Sequence, residues 1–521
     1  MRESTPPPSN HRVVDAPIVA LALVAVAIHF ATNLGLGGYR YFRDELYYIA
    51  CSRHLALGYV DHPSLSIILL SIELHLFGAS MFALRLFPAL AHGAAIILAA
   101  MIAREMGGGR FAMSIASLAI LIAPIFLGLT SFYSMNAYEP LFWGAAGLVV
   151  VRILNTNDAR LWLWFGLIAG IALENKISML FLCVGVVAGL LLTDRRRFLL
   201  SPFLWIGGAL AMLLFIPYVI WNARHGFPTL EFMHNAQLYK NYHASMFGFV
   251  GAQIVLLNPL SAPLWMAGIF WCFFGASGRY RVIGWIYLAV FALTLQGGKA
   301  YYAAPVYMLM FPAGAVALER FAAAREWGVS LRRAAVIALV IAGVVSAPLA
   351  IPVLPPNALA SYAARLGMGP AQKSALIGER IKQGILPQNF ADRFGWPEMA
   401  AAAAQVYDSL PPPERAHTAI FASNYGEAGA IDFFGPRYNL PQAISGHNSY
   451  WLWGFGDRDI DTVIVIGSTR ASLAKFFAEV IPVAKFECGY CMGYENDLDI
   501  FICRKPLAPM AKLWPMIKMF I

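Results

Sequence analysis

The chain has 521 residues, of which 59% are hydrophobic and 13% charged, and its formal net charge is +9. Soluble domains carry about 25% charged residues, so this deficit, with a mean hydropathy of +0.62, excludes an ordinary soluble protein and points to a bilayer. The excess Lys and Arg sit in short loops between apolar runs, which fits orientation in a membrane and argues against nucleic acid as the partner.

Residues 1–15 contain Pro6, Pro7 and Pro8 and are expected to be disordered. The apolar run 16–36 approaches the ~20 residues of a spanning helix. It lacks a small-residue cleavage site and reads as a retained first helix, not a signal peptide. Apolar runs continue to about residue 351. With the N-terminus inside, eleven spans are expected, centred near Val26, Ala91, Ala119, Gly147, Leu167 and Val186, then Ala211, Met266, Leu288, Met310 and Ile341. Alternate loops are basic, with Arg104 and Arg110, Arg152 and Arg160, Arg195 to Arg197, Arg279 and Arg281, and Arg320, Arg325, Arg332 and Arg333. This is the asymmetry of cytoplasmic loops. The short run 64–77 holds Glu73 and His75 and reads as a helix on the outer surface. The run 247–274 is broken at Asn258-Pro259 and reads as an interfacial piece plus one span.

An odd number of spans places everything after Pro352 outside. There the polar residues return, and the chain divides into a membrane part, 1–354, and a periplasmic α/β domain, 355–521. Residues 394–410 predict a helix with an Ala-rich face. Residues 418–421 and 462–466 predict buried strands, the second followed by a helix over 470–479, and 498–503 predict a further strand. No internal repeat is visible. Cys51, Cys183 and Cys272 lie in or near the membrane part as apolar fillers. Cys488 and Cys491 form a Cys-x-x-Cys pair, which alone fits a zinc half-site, a redox pair or a disulfide. One pair does not supply four zinc ligands, and the compartment is oxidising. A structural disulfide is therefore the favoured reading, with Cys503 as an alternative partner; no metal or cofactor is expected.

Ionisable residues near a bilayer are expensive and therefore informative. The richest cluster follows the first span: Arg40, Arg43, Asp44 and Glu45 among Tyr39, Tyr41, Tyr47 and Tyr48, then Asp61 and His62. An acidic pair facing a lipid-borne substrate suits a general base; the plainer alternative is a solvated loop of aromatic and ion-paired residues. Asn136 and Glu139, Glu174 to Lys176, and Lys299 with Tyr301 and Tyr302 return to the same face. So does the loop 221–243, with Glu231, His234 and Lys240. Each alone fits snorkelling; together they suit a phosphate held by cations at the outer surface.

Three segments carry a resemblance: Arg43-Asp44-Glu45-Leu46-Tyr47-Tyr48, Asp61-His62-Pro63-Ser64-Leu65, and Gly298-Lys299-Ala300-Tyr301-Tyr302-Ala303-Ala304-Pro305. They are similar to signature segments of the bacterial relatives of protein O-mannosyltransferases and aminoarabinose transferases, which are GT-C glycosyltransferases of family 39. Gly170 to Lys176 resembles that family's glycine-then-lysine segment. Asn424 to Ala430, with Ser445 to Asn448, resembles a branch with a periplasmic C-terminal domain. The resemblance implies a polytopic helical GT-C fold and a polyprenyl-phosphate-linked sugar donor. It also implies an envelope lipid, glycan or protein as acceptor and inversion at the anomeric carbon, at the periplasmic face of a bacterial inner membrane. Carried over by position, Asp44 is the base, Glu45 its support and Glu139 a second acidic group. His62, Lys176, Lys299, Tyr301 and Tyr302 fall at donor-phosphate positions, although many relatives have lysine where His62 stands and proline at Ser64. A transporter or flippase of envelope precursors is the alternative. It favours ionisable groups at the bilayer midplane and inverted repeats, whereas here the charges gather at one face.

Overall fold

A computed structural model describes residues 15–521 except 243, 276–277, 298, 369–378, 381, 383 and 458. The proline-rich start, expected to be disordered, lies outside the described residues up to 14. All eleven predicted span centres fall inside helices. Among the described residues five helices are long and apolar enough to cross a bilayer: Met81–Glu105, Met135–Thr156, Pro202–Arg224, Ala300–Ala323 and Gly328–Leu349. A sixth is obtained if Met246–Leu256 and Pro259–Gly275, bent by 96°, form one span. The bend sits at the Asn258-Pro259 break. Asn258 has φ 81° and its side chain caps Leu260 N–H at 3.1 Å, while Pro259 lacks the N–H that would continue the helix. The other predicted spans are shorter apolar helices, Ala16–Thr32, Arg110–Ile122, Leu161–Asn175, Met179–Leu191 and Arg281–Leu295, as is Leu65–Phe77.

Small residues let these helices touch. A Cβ on Gly166 would collide with the Gly207 carbonyl, and one on Gly314 with the Leu264 carbonyl. Leu161–Asn175 therefore lies backbone to backbone on Pro202–Arg224, and Tyr307–Ala323 on Ala262–Phe270, as expected where close van der Waals packing replaces a hydrophobic driving force.

The C-terminal part holds a five-stranded sheet: β1 Thr418–Ala422, β2 Ala443–Ile444, β3 Thr462–Ile466, β4 Phe477–Phe486 and β5 Leu498–Pro506, in the order β2-β1-β3-β5-β4. β1 is parallel to β2 and β3, and β5 is antiparallel to β3 and β4. The predicted helix over 470–479 stops at Leu473, and the chain becomes β4 from Phe477. Pairing with β5 overrides local helical preference there. Pro482 is tolerated because β4 is an edge strand with a register shift at that point. The predicted 394–410 helix runs Trp396–Asp408.

Alternate strand residues serve two cores. Ala419, Val463, Val465 and Phe501 pack with Trp514 on one face. Ile420, Ile464 and Ile502 face the other side, where they join Leu46, Tyr47 and Ala50 of helix Arg43–Arg53 through helix Tyr425–Phe434. That docking depends on Gly429, where an added methyl would sit 2.8 Å from the Leu46 carbonyl carbon. Cys488 and Cys491 form a disulfide, while Cys503 is a buried free thiol on β5, so the alternative pairing is not adopted.

Candidate active site

Helix Arg43–Arg53 begins with two acidic residues, as a helix N-terminus favours, and the fold gives them different tasks. Glu45 is fully buried. Its carboxylate accepts from the backbone N–H of Phe42 at 2.7 Å and of Tyr133 at 2.8 Å, and Arg85 grips it from Nε and Nη2, both at 2.7 Å. Glu45 therefore makes the N3-to-N-cap half of a capping box and pins the helix; it is not among the residues lining the cavity beside Asp44, and among the described residues the expectation that it supports Asp44 chemically finds no contact. Asp44 keeps 27% of its side chain exposed and accepts from the Tyr425 hydroxyl at 3.0 Å, with Arg43 Nε at 3.5 Å.

Asp44 lies on a cavity of about 850 Å³. Among the described residues four cations, Arg43, Lys176, Lys240 and Lys299, line it with three carboxylates, Asp44, Asp61 and Glu379. Ile125, Leu129, Phe132, Phe181 and Leu256 supply apolar wall to the same cavity.

Lys176 caps the end of helix Leu161–Asn175. Its Nζ donates to Glu139 Oε2 and to Asn136 Oδ1, each at 2.7 Å, and stands 4.7 Å above the Tyr302 ring. Glu139 starts helix Glu139–Thr156, takes a further hydrogen bond from Ser178, and is 3% exposed behind Lys176. Its geometry is that of an anchor for the lysine. Lys299 pairs with Glu379 and lies 5.9 Å from the Tyr301 ring. Lys240 approaches the same Glu379 oxygen at 4.0 Å. Burial works against the Glu379 charge, yet Lys299, Lys240 and Arg43 outweigh it and hold this carboxyl down at about 2. Burial also opposes the Lys299 charge, but Glu379 prevails and raises it, whereas Lys240 is lowered, chiefly by burial.

His62 is 1% exposed, with Nδ1 2.9 Å from the Pro63 carbonyl and its ring stacked 4.7 Å from Tyr48. The structure thus places it behind the wall, away from the donor-phosphate role assigned by position. Its neighbour Asp61 faces the cavity and accepts from the Tyr47 hydroxyl at 2.9 Å. Lys176, Lys299, Tyr301 and Tyr302 all line the cavity as expected of their positions.

Sequence reasoning missed Glu379 altogether, since an isolated Glu beyond the last span carries no motif. Lys240 was one of several charges in its loop. Tyr425 lay within the Asn424 to Ala430 motif without a role. His447 orients it: the Tyr425 N–H donates to Nδ1 at 3.2 Å, and Nε2 donates to the Ile521 carbonyl at 2.8 Å. Burial lowers His447 to about 3, so it is neutral, consistent with one acceptor and one donor nitrogen.

Residues 61–221 match the family model described as dolichyl-phosphate-mannose-protein mannosyltransferase. The fold is similar to ArnT from Cupriavidus metallidurans bound to undecaprenyl phosphate, at 17% identity and TM-score 0.58, over 93% of this chain and 97% of that one. The apo state of ArnT gives 18% identity and TM-score 0.57 over the same shares. The oligosaccharyltransferase of Archaeoglobus fulgidus tethered to an acceptor peptide gives 14% and 0.50, over 86% of this chain and 68% of that one. No curated protein matches the sequence significantly. The resemblance to GT-C glycosyltransferases is borne out by the family match and the shared fold.

Proposed function

Starting from a GT-C fold in a multi-pass membrane protein, we propose that the chain transfers a sugar from a polyprenyl-phosphate donor to an envelope lipid, glycan or protein. Transfer occurs at the periplasmic face of a bacterial inner membrane. One observation carries this reading: Asp44, a cation-rich wall and an apolar wall share a single cavity. The apolar wall suits a lipid chain. The cations suit the phosphate, whose charge grows as the glycosyl C–O bond breaks and which preorganised donors stabilise. Asp44 takes the proton of an acceptor hydroxyl. The oxygen attacks the anomeric carbon opposite the phosphate, the phosphate leaves on its lipid, and the centre inverts. Lys176, held by Glu139 and Asn136, and Lys299 are the phosphate ligands. Tyr425 places Asp44, and with it the 355–521 domain contributes to the site of the 1–354 domain.

The test is transfer of labelled sugar from polyprenyl phosphate in proteoliposomes. Asp44→Asn keeps shape but removes the base, so turnover falls by about two to four orders of magnitude. A variant that inserts normally and transfers at the parent rate refutes the assignment.

A further inference from the structure

Lys176 is held by its own buried carboxylate, Glu139, and by the Asn136 amide. Lys299 and Lys240 are satisfied differently. Both converge on one oxygen of Glu379, and Arg43 adds to the field on that carboxylate. Glu379 itself lines the cavity beside them. Its backbone is held by a bridge to Asn241, and the next residue, Arg380, donates its N–H to the Lys240 carbonyl at 2.8 Å. The carboxylate is thus fastened to the loop that carries one of its two lysines. A carboxylate and a phosphate present the same acceptor oxygens to ammonium groups, so two lysines aimed at one carboxylate form a ready anion site. If this pair were purely structural, removing Glu379 would leave buried cations uncompensated and loosen the site.

We infer that Glu379 occupies the place of the lipid phosphate headgroup, so that the phosphate reaches Lys299, and with it Lys240, by displacing this carboxylate, while Lys176 remains its further ligand. The inference rests on the proposed function and adds an internal competitor to it. The donor's phosphodiester carries one negative charge and the monoester left after transfer carries a second near neutral pH, so the same lysines hold the product more tightly. Glu379 re-entering the site offsets that hold. An equilibrium in which Glu379 fills the site lowers apparent phosphate affinity by the fraction of molecules left open.

The experiment measures binding of undecaprenyl phosphate, and separately of inorganic phosphate, to the full chain in detergent micelles. The proteins are the parent, Glu379→Gln, Glu379→Ala, Lys299→Ala and Lys240→Ala. Both Glu379 variants are expected to bind undecaprenyl phosphate about tenfold or more tightly, while each lysine variant binds more weakly. Lipid binding that needs Lys299 but is unchanged or weakened in both Glu379 variants overturns the displacement while leaving the proposed function standing. Tightening with inorganic phosphate alone assigns the site to a free anion and also overturns it. If neither the parent nor the Glu379 variants bind the lipid, both the inference and the proposed function fall.

Discussion

Glu139→Gln isolates what the carboxylate behind Lys176 contributes. The Lys176–Glu139 pair is 2.7 Å long, with side chains 9% and 4% exposed. Removing one partner of such a buried pair costs about 3–5 kcal/mol when nothing replaces it. Here the substituted amide still offers an acceptor oxygen and Asn136 remains at 2.7 Å, so the expected loss is about 2 kcal/mol. Lys176→Met in the Glu139→Gln background removes the stranded charge. That double variant is expected to regain most of the lost stability, giving a coupling energy of roughly 1–3 kcal/mol in a double-mutant cycle. Sugar transfer should fall in Glu139→Gln, because Lys176 is no longer held over Tyr302, and should not return in the double variant. Equilibrium unfolding in mixed detergent reads the first quantity and a proteoliposome transfer assay the second. Additive stabilities, or full transfer in the Lys176→Met background, would refute the view that Glu139 acts by positioning a phosphate ligand.

Three further outcomes are expected. Lys299→Ala should raise the KM for the lipid donor and slow turnover, with partial rescue in Lys299→Arg, whose planar guanidinium keeps the charge but not the shape; transfer kinetics across donor concentrations check this. Gly429→Val should force helix Tyr425–Phe434 off helix Arg43–Arg53, withdrawing Tyr425 from Asp44, and limited proteolysis together with transfer activity would register the undocking. Burial pushes Asp392 up to about 7 despite Arg43 beside it. The folded chain therefore retains a proton that the unfolded chain has lost above its ordinary value of 3.8. This stability is full below that value and is lost as pH rises through about 7. The buried pair Glu427 and Glu495 is raised in the same direction, chiefly by burial. Melting temperature should accordingly drop between about pH 4 and pH 7 and level off above, and Asp392→Asn should flatten part of that drop.

The sequence by itself determined the elements whose cause is local. Runs of apolar residues made helices at all eleven expected centres, because a continuous apolar surface needs lipid or other helices around it. Asn258-Pro259 announced its bend, since an N–H was missing. Short apolar runs, β-branched throughout in β3, announced β1, β3 and β5. The motif residues Asp44, Lys176, Lys299, Tyr301 and Tyr302 were legible as a set, and the fold does bring them to one cavity. What only the tertiary structure decided were partnerships between segments far apart in sequence. Asp44 and Glu45 are neighbours of like chemistry, yet Arg85 and the Tyr133 N–H claim one and leave the other open. Asp61 faces the cavity while His62, expected there, is buried behind it, because one residue's difference on a turn selects cavity or core. β4 exists because β5 offers it an edge. Glu379 joins the site because the chain returns beside Asn241 and sets a carboxylate between two lysines. Ion pairs of this kind depend on a few ångströms of separation in a low-dielectric interior, a distance that residue order along the chain does not encode.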